Sequence, residues 1–252
     1  MNIAFLSAVA PVVLLLCFIY RKDKEHPEPT RLLLRAFLLG CLSVLPASLM
    51  EMALSLLTPA EPVSGALYTG FVVAGFSEEF CKLWLLKLAI WRNRHFDEYF
   101  DGIVYAVFLG MGFACVENVM YVLQGDNTMM VATMRGLLAV PAHFLFAVTM
   151  GYYLSLAKFD TPHRHTHSVK AFLYPLLLHG TYDALLMVSS AIGGDDAETS
   201  EAMVCGVLMM LFLIFDVLMW RRGLRRIRQM QERSKEQYFD PMNPFEGFQW
   251  RF

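Results

Sequence analysis

The sequence predicts an all-α fold, a polytopic bundle of about seven transmembrane helices with its N-terminus outside and its C-terminus inside. Three observations predict it. Apolar residues make up 56% of the 252 residues and charged residues only 17%, against roughly 45–50% and about 25% in soluble domains. The apolar residues gather into seven runs, at about residues 3–20, 32–57, 65–91, 102–123, 131–157, 171–191 and 203–220. Each is near the roughly 20 residues that cross a hydrocarbon core of about 30 Å. Lysine and arginine, finally, alternate between loops, and their side is cytoplasmic.

The first run lacks a basic segment before it, and Ala8-Val9-Ala10, which resembles a cleavage site, falls before the run ends. It is therefore expected to remain as an anchor helix. The loop after it carries Arg21, Lys22, Lys24 and Arg31. The third loop carries Arg92 and Arg94, the fifth Lys158, Arg164 and Lys170, and the tail Arg221, Arg222, Arg225, Arg226 and Arg228. The loops at 58–64, 124–130 and 192–202 have neither lysine nor arginine. Pro46 and Pro141 fall inside the second and fifth runs, where a kink or local opening is expected, and Pro141 stands two residues before His143. Composition divides the chain into a membrane domain at 1–222 and a cytoplasmic basic and aromatic tail at 223–252. The stretch from Phe245 to Phe252 either lies on the headgroups or folds back onto the cytoplasmic loops.

Cys17, Cys41, Cys81, Cys115 and Cys205 all lie in apolar runs without CxxC spacing, which predicts buried free thiols. No stretch is basic and aromatic as a nucleic-acid groove requires, so no nucleic acid is expected as a partner. The lipid bilayer is.

The third run holds Glu78, Glu79 and Lys82 in its interior. Ionisable side chains at such depth are costly and mark function. In a helix Glu78 and Lys82 share a face and Glu79 turns to an adjacent one. As structure, Lys82 would neutralise one glutamate and the other would cap a helix break after Gly75; as chemistry, one of them is a general base. Glu117 and Asn118 lie in the fourth run, His143 in the fifth, and His179 with Asp183 in the sixth. The i,i+4 spacing of His179 and Asp183 suits two ligands of one metal. It equally suits an aspartate that fixes the tautomer of a histidine. At about 1.5 Å per residue, Glu78, His143 and His179 lie roughly 18–20 Å below the outer face and Glu117 and Asp183 about 9–12 Å. All of these groups therefore share one slab of the membrane. Arg135, near the outer face, is expected to snorkel toward water. His163-Arg164-His165-Thr166-His167 invites a metal reading but is polar and next to Pro162, which favours a solvated turn.

Glu78-Glu79-x-x-Lys82, then Phe113-x-x-x-Glu117-Asn118, His143 and His179-x-x-x-Asp183 together resemble the motif series of the PrsW family of intramembrane proteases, relatives of the CAAX prenyl endopeptidases. The resemblance covers roughly residues 31–183. It implies a polytopic helical endopeptidase of a bacterial-type plasma membrane that cuts membrane-anchored proteins. In the family's namesake role the substrate is a membrane-bound anti-sigma factor, cut first on its outer side. The prenyl endopeptidases carry His where this chain has Glu117 and Asn where it has Asp183, so this site is more acidic.

On this reading Glu78 activates water, Glu79 and Lys82 tune it, and Glu117 and Asn118 complete the catalytic set. His143, His179 and Asp183, with Glu117 as a further candidate, would bind a Zn²⁺-like ion with one open position. A metal-independent alternative has glutamate and histidine activate water directly. A proton-coupled transporter is the alternative of another class, but the chain lacks the inverted repeat common in such proteins.

Overall fold

The computed structural model describes residues 2–124, 128–193 and 199–239, and every regular element among them is helical. The helices run α1 Asn2–Lys22, α2 Thr30–Ser55, α3 Pro62–Tyr68, α4 Ser77–Ile90, α5 Asp101–Gln124, α6 Thr128–Leu137, α7 Ala139–Phe159, α8 Arg164–Ile192 and α9 Thr199–Phe239. A π-helical segment, Thr69–Phe76, joins α3 to α4, and a short 3₁₀ turn, Thr161–His163, precedes α8. Six segments are long and apolar enough to cross a membrane. The run expected at 65–91 is a composite, α3 and α4 joined through the π segment, and it carries Glu78, Glu79, Lys82 and Lys87.

The core is built around α5, which packs against α1, α2 and α7 and buries Ile103, Val104, Tyr105, Leu109, Met111 and Phe113. In lipid, helices associate through close packing of small residues, because the solvent is as apolar as the side chains. A Cβ at Gly40 of α2 would overlap the carbonyl of Leu109, and one at Gly112 of α5 would overlap that of Phe37. These two glycines set the α2–α5 distance. The outward faces stay apolar: Leu34, Leu38, Leu42, Leu45 and Leu49 of α2 are exposed, as are Met203, Val207, Met210 and Ile214 of α9. An apolar surface of that extent belongs against lipid.

Several expectations are corrected. The break in the fifth run is at Leu138 (φ −119°, ψ −61°), between α6 and α7. Pro141 therefore lies in the first turn of α7, where its missing N–H is not needed. Pro46 leaves α2 unbroken. The five cysteines are free, but only Cys81 is buried, and Cys17 is exposed on α1. The polybasic stretch is helical. α9 continues through it, a rod of roughly 60 Å at about 1.5 Å per residue. Its far end docks on the first and third loops: Ser234 Oγ accepts from the Phe100 amide at 2.8 Å, and Gln231 Nε2 donates to the Lys22 carbonyl at 2.7 Å. Arg226 donates to Thr149 Oγ1 and lies over the rings of Tyr152 and Tyr153. Phe245 to Phe252 lie outside the described residues.

Candidate active site

The π segment comes immediately before Glu78 and Glu79. A π turn holds more residues than an α turn, so it rotates whatever follows, and such turns are frequent at functional sites. It packs against α8 through glycines. A Cβ at Gly75 would come within 3.3 Å of the Gly180 amide nitrogen, and one at Gly180 would overlap the Phe71 ring. This approach brings the glutamates of α4 beside His179 of α8.

Lys82 is the hub. Its Nζ lies 2.9 Å from Glu78 Oε2, 2.8 Å from Glu79 Oε1 and 3.2 Å from His143 Nδ1, and 4.0 Å from the centroid of the Phe113 ring. His179 Nδ1 is 3.0 Å from Glu79 Oε1. The outer nitrogen of each imidazole meets its own carboxylate: His143 Nε2 lies 2.8 Å from Glu117 Oε2, and His179 Nε2 3.3 Å from Asp183 Oδ2. The Phe146 ring stacks on His179 with centroids 4.8 Å apart.

One ligand atom from each of Glu78, Glu79, His143 and His179 falls within 4.8 Å of the others, and all four residues are buried. Glu117 and Asp183 fall outside that group, behind the imidazoles. Glu79 Oε2 is buried without a hydrogen-bond partner. The four carboxylates Glu78, Glu79, Glu117 and Asp183 face two fixed cations, Lys82 and Arg135.

Glu78, Glu117, Arg135, His143, His179 and Asp183 line a cavity of about 300 Å³, walled also by Tyr121, Phe146 and Tyr182. Glu79 and Lys82 lie behind that surface, fully buried and 3% exposed respectively. Asn118 is buried away from it: its Nδ2 donates to the Ala8 carbonyl at 2.7 Å and its Oδ1 accepts from Arg135 Nε at 3.1 Å. It ties α1, α5 and α6 together and has no hydrogen bond to Glu78 or to either histidine.

Arg135 does not snorkel. It turns inward, 2.7 Å from Glu117 Oε1 and 3.8 Å from the Tyr121 ring centroid, because an unpaired Glu117 there would cost more than the arginine's loss of water. Sequence reasoning also passed over Glu51 of α2, close enough to interact electrostatically with Glu78 and Lys82. An acid inside an apolar run was the available signal. On the basic face, Asp160 accepts from both His163 and His167, at 3.2 and 3.0 Å, so the expected solvated turn is a small polar knot.

The model of a family described as PrsW family intramembrane metalloprotease matches residues 28–218. Curated relatives named Protease PrsW align over nearly their full lengths. The one from Clostridioides difficile is 33% identical over 239 residues, 93% of this chain and 94% of the relative. The one from Geobacillus kaustophilus is 34% identical, covering 94% and 96%, and that from Bacillus subtilis 33%, covering 90% and 95%. No solved structure matches the chain. A helical bundle with paired glutamates, a lysine and two histidines gathered in one buried cavity, matched across residues 28–218, belongs to the PrsW family of intramembrane metalloproteases.

Proposed function

We propose that Glu78 is the general base of this intramembrane protease, with Glu79, His143 and His179 holding a Zn²⁺-class ion beside it. The observation that carries this is the position of Glu78: of the two glutamates it alone lines the cavity, while Glu79 lies behind with an unpartnered oxygen. Two imidazole nitrogens and a carboxylate oxygen are the donor set of many catalytic zinc sites. Bound there, the ion would polarise the peptide carbonyl and lower the pKa of its water to around 7.

The chain's own residues do the rest. Glu78 accepts the proton of the attacking water and returns it to the leaving amine. Lys82 keeps two adjacent carboxylates buried side by side without mutual repulsion. Glu117 and Asp183 fix the tautomer and the plane of His143 and His179 from behind, as outer carboxylates do for metal-bound imidazoles. Asn118 acts one step further out, through Arg135. Phe113, Phe146 and Tyr182 keep bulk water from the glutamates. The substrate is a membrane-anchored protein of a bacterial-type plasma membrane, a membrane-bound anti-sigma factor on the strength of the family resemblance.

A second reading is favoured by Lys82 itself. Its ammonium lies among the donors, within 3.2 Å of three of them, where it substitutes for an ion. In that reading Glu78 and His143 activate water without a metal.

Two measurements decide. Glu78→Gln keeps shape, so cleavage of a membrane-anchored substrate is expected to fall roughly 10²–10⁴-fold with the melting temperature held. Near-normal cleavage removes Glu78 from its role. Purified protein is expected to hold about one equivalent of zinc, lost to a strong chelator together with activity and regained on adding zinc. Full activity after chelation, with no metal detected, leaves the second reading standing.

A further inference from the structure

At the basic end of the bundle, five carboxylates gather where the exit of α1, the third loop and the start of α5 meet beneath α9. They are Asp23, Glu28, Asp97, Glu98 and Asp101, and all but Asp97 are buried, Asp101 completely. The acids of the active site each have a cation or an imidazole beside them. Here, among the described residues, no lysine or arginine pairs with any of the five, and His26 stands 3.7 Å from Glu98. Arg21, Lys22, Lys24, Arg228 and Lys235 line the adjoining cavity without forming an ion pair with any of the five; Lys235 pairs with Glu25 at 2.8 Å, and Lys22 Nζ lies 5.7 Å from the Phe18 ring centroid. Buried carboxylates are paired, protonated or bound to metal.

Other groups donate to these carboxylates, and the carboxyl of Glu28 also lies against that of Asp101. Asp101 Oδ2 accepts the amides of Asp97 and Glu98 at 3.0 and 2.7 Å. Asp23 Oδ2 accepts the Glu28 amide at 3.1 Å, and Tyr105 donates to Glu28. The other oxygen of Asp101, Oδ1, is buried and has no partner. Ligand oxygens of Asp23, Glu98 and Asp101 lie within 4.8 Å of one another. A cavity of about 630 Å³, lined by Asp23 and Glu98, connects this trio to solvent. Without a counter-charge, burial pushes the Glu98 carboxyl up to about 7 and that of Glu28 up to about 8.

We propose that Asp23, Glu98 and Asp101 form a site for one hard divalent cation, Mg²⁺ or Ca²⁺, separate from the catalytic cavity. An all-oxygen donor set selects hard ions over zinc, and the adjoining cavity supplies the water such ions retain. The ion clasps the end of α1 to the head of α5. Because Phe100 is bonded to Ser234, it steadies the docked end of α9 as well.

The test is calorimetry on the purified full-length protein in nanodiscs, titrated separately with MgCl₂ and CaCl₂. One equivalent is expected to bind with a Kd between about 10 µM and 1 mM, the tighter of the two naming the ion, and to raise the melting temperature. Asp101→Asn, which keeps the shape and the amide contacts, is expected to weaken binding at least tenfold while zinc content stays unchanged. Glu98→Gln, at the cavity wall, provides the same readout should Asp101→Asn misfold. If neither ion binds by about 10 mM, beyond the weakest sites of this kind, the carboxylates share protons instead and the proposal is wrong. Binding that survives both substitutions overturns it equally.

Discussion

Arg135, Glu117, His143 and Lys82 form one continuous line of polar contacts across the bundle, from α6 through α5 and α7 to α4. Removing one member strands its neighbour. Arg135→Met keeps the length of the side chain but leaves Glu117 with His143 alone. Hydrogen bonds to charged groups contribute about 1.5–3 kcal/mol, so proteolysis is expected to drop by roughly 10- to 100-fold. Arg135→Lys should recover only part of this, because it keeps the charge and loses the planar fork that reaches Glu117 and Asn118 together. Activity assays of both variants check it, and a fully active Arg135→Met would show Glu117 to be held by other means. The sequence made the members of this line visible but not its order. Depth counting placed Glu117, Asp183, Glu78, His143 and His179 in one slab without saying which acid meets which ring; in the fold Glu117 meets His143 Nε2 and Asp183 meets His179 Nε2. What depth could not reveal was that Arg135 bends inward. That depends on a partner on another helix, and hydropathy carries no information about partners.

The element that shapes the site is the composite α3–π–α4. Its charges and its length were legible in the run at 65–91. Its π turn was not, since a periodic pattern of apolar residues reads the same to either side of a local widening. Nor was the role of Gly180, whose meaning lies in the Phe71 ring across the interface. Gly180→Ala is expected to cost about 1–3 kcal/mol, the usual range for overpacking, and to push α4 away from His179. Loss of melting temperature together with reduced zinc content would register both effects. Phe71→Leu in the same chain should restore part of each, whereas an unchanged melting temperature for Gly180→Ala would mean that Phe71 rotates away freely. The third loop shows the opposite limit. Its two arginines were read for orientation, and its acids, Asp97, Glu98 and Asp101, were passed over because a count of basic residues ignores them.

Over the whole molecule, charge is sorted by depth. Among the described residues, most charge within the spans gathers around one cavity, with Glu51, Lys87 and Asp216 outside its lining, and the basic face holds the arginines of α9 and the acidic cluster beneath them. The all-helical, multi-pass architecture was legible because lipid leaves a helix almost no alternative: each backbone group must be satisfied within its own segment. The alignment of relatives over 90% or more of the chain fits that architecture as a single inherited unit. α9 is the least buried of the six candidate spans, with 11% of its apolar window buried; it packs along α8 and α7 and is tied at its far end to the loops.

The broken, charged composite helix bears on how the protein is made. Each lysine at the centre of a segment costs about 2.5–3.5 kcal/mol during insertion by the translocon, against about 0.3–0.6 returned per leucine, isoleucine or phenylalanine. Pro62–Ile90, with two glutamates and two lysines, is therefore a poor candidate to partition into lipid on its own. Its partner histidines, on α7 and α8, emerge from the ribosome only after α5 and α6 have been synthesised. The nascent segment must wait at the channel or enter alongside its neighbours, so biogenesis is cooperative. In a glycosylation-mapping insertion assay, residues 62–91 alone should insert in fewer than about half of the molecules, and replacing Glu79 and Lys82 by leucine should raise that fraction sharply. Efficient insertion of the unmodified segment would show that the helix manages its charges without the rest of the bundle.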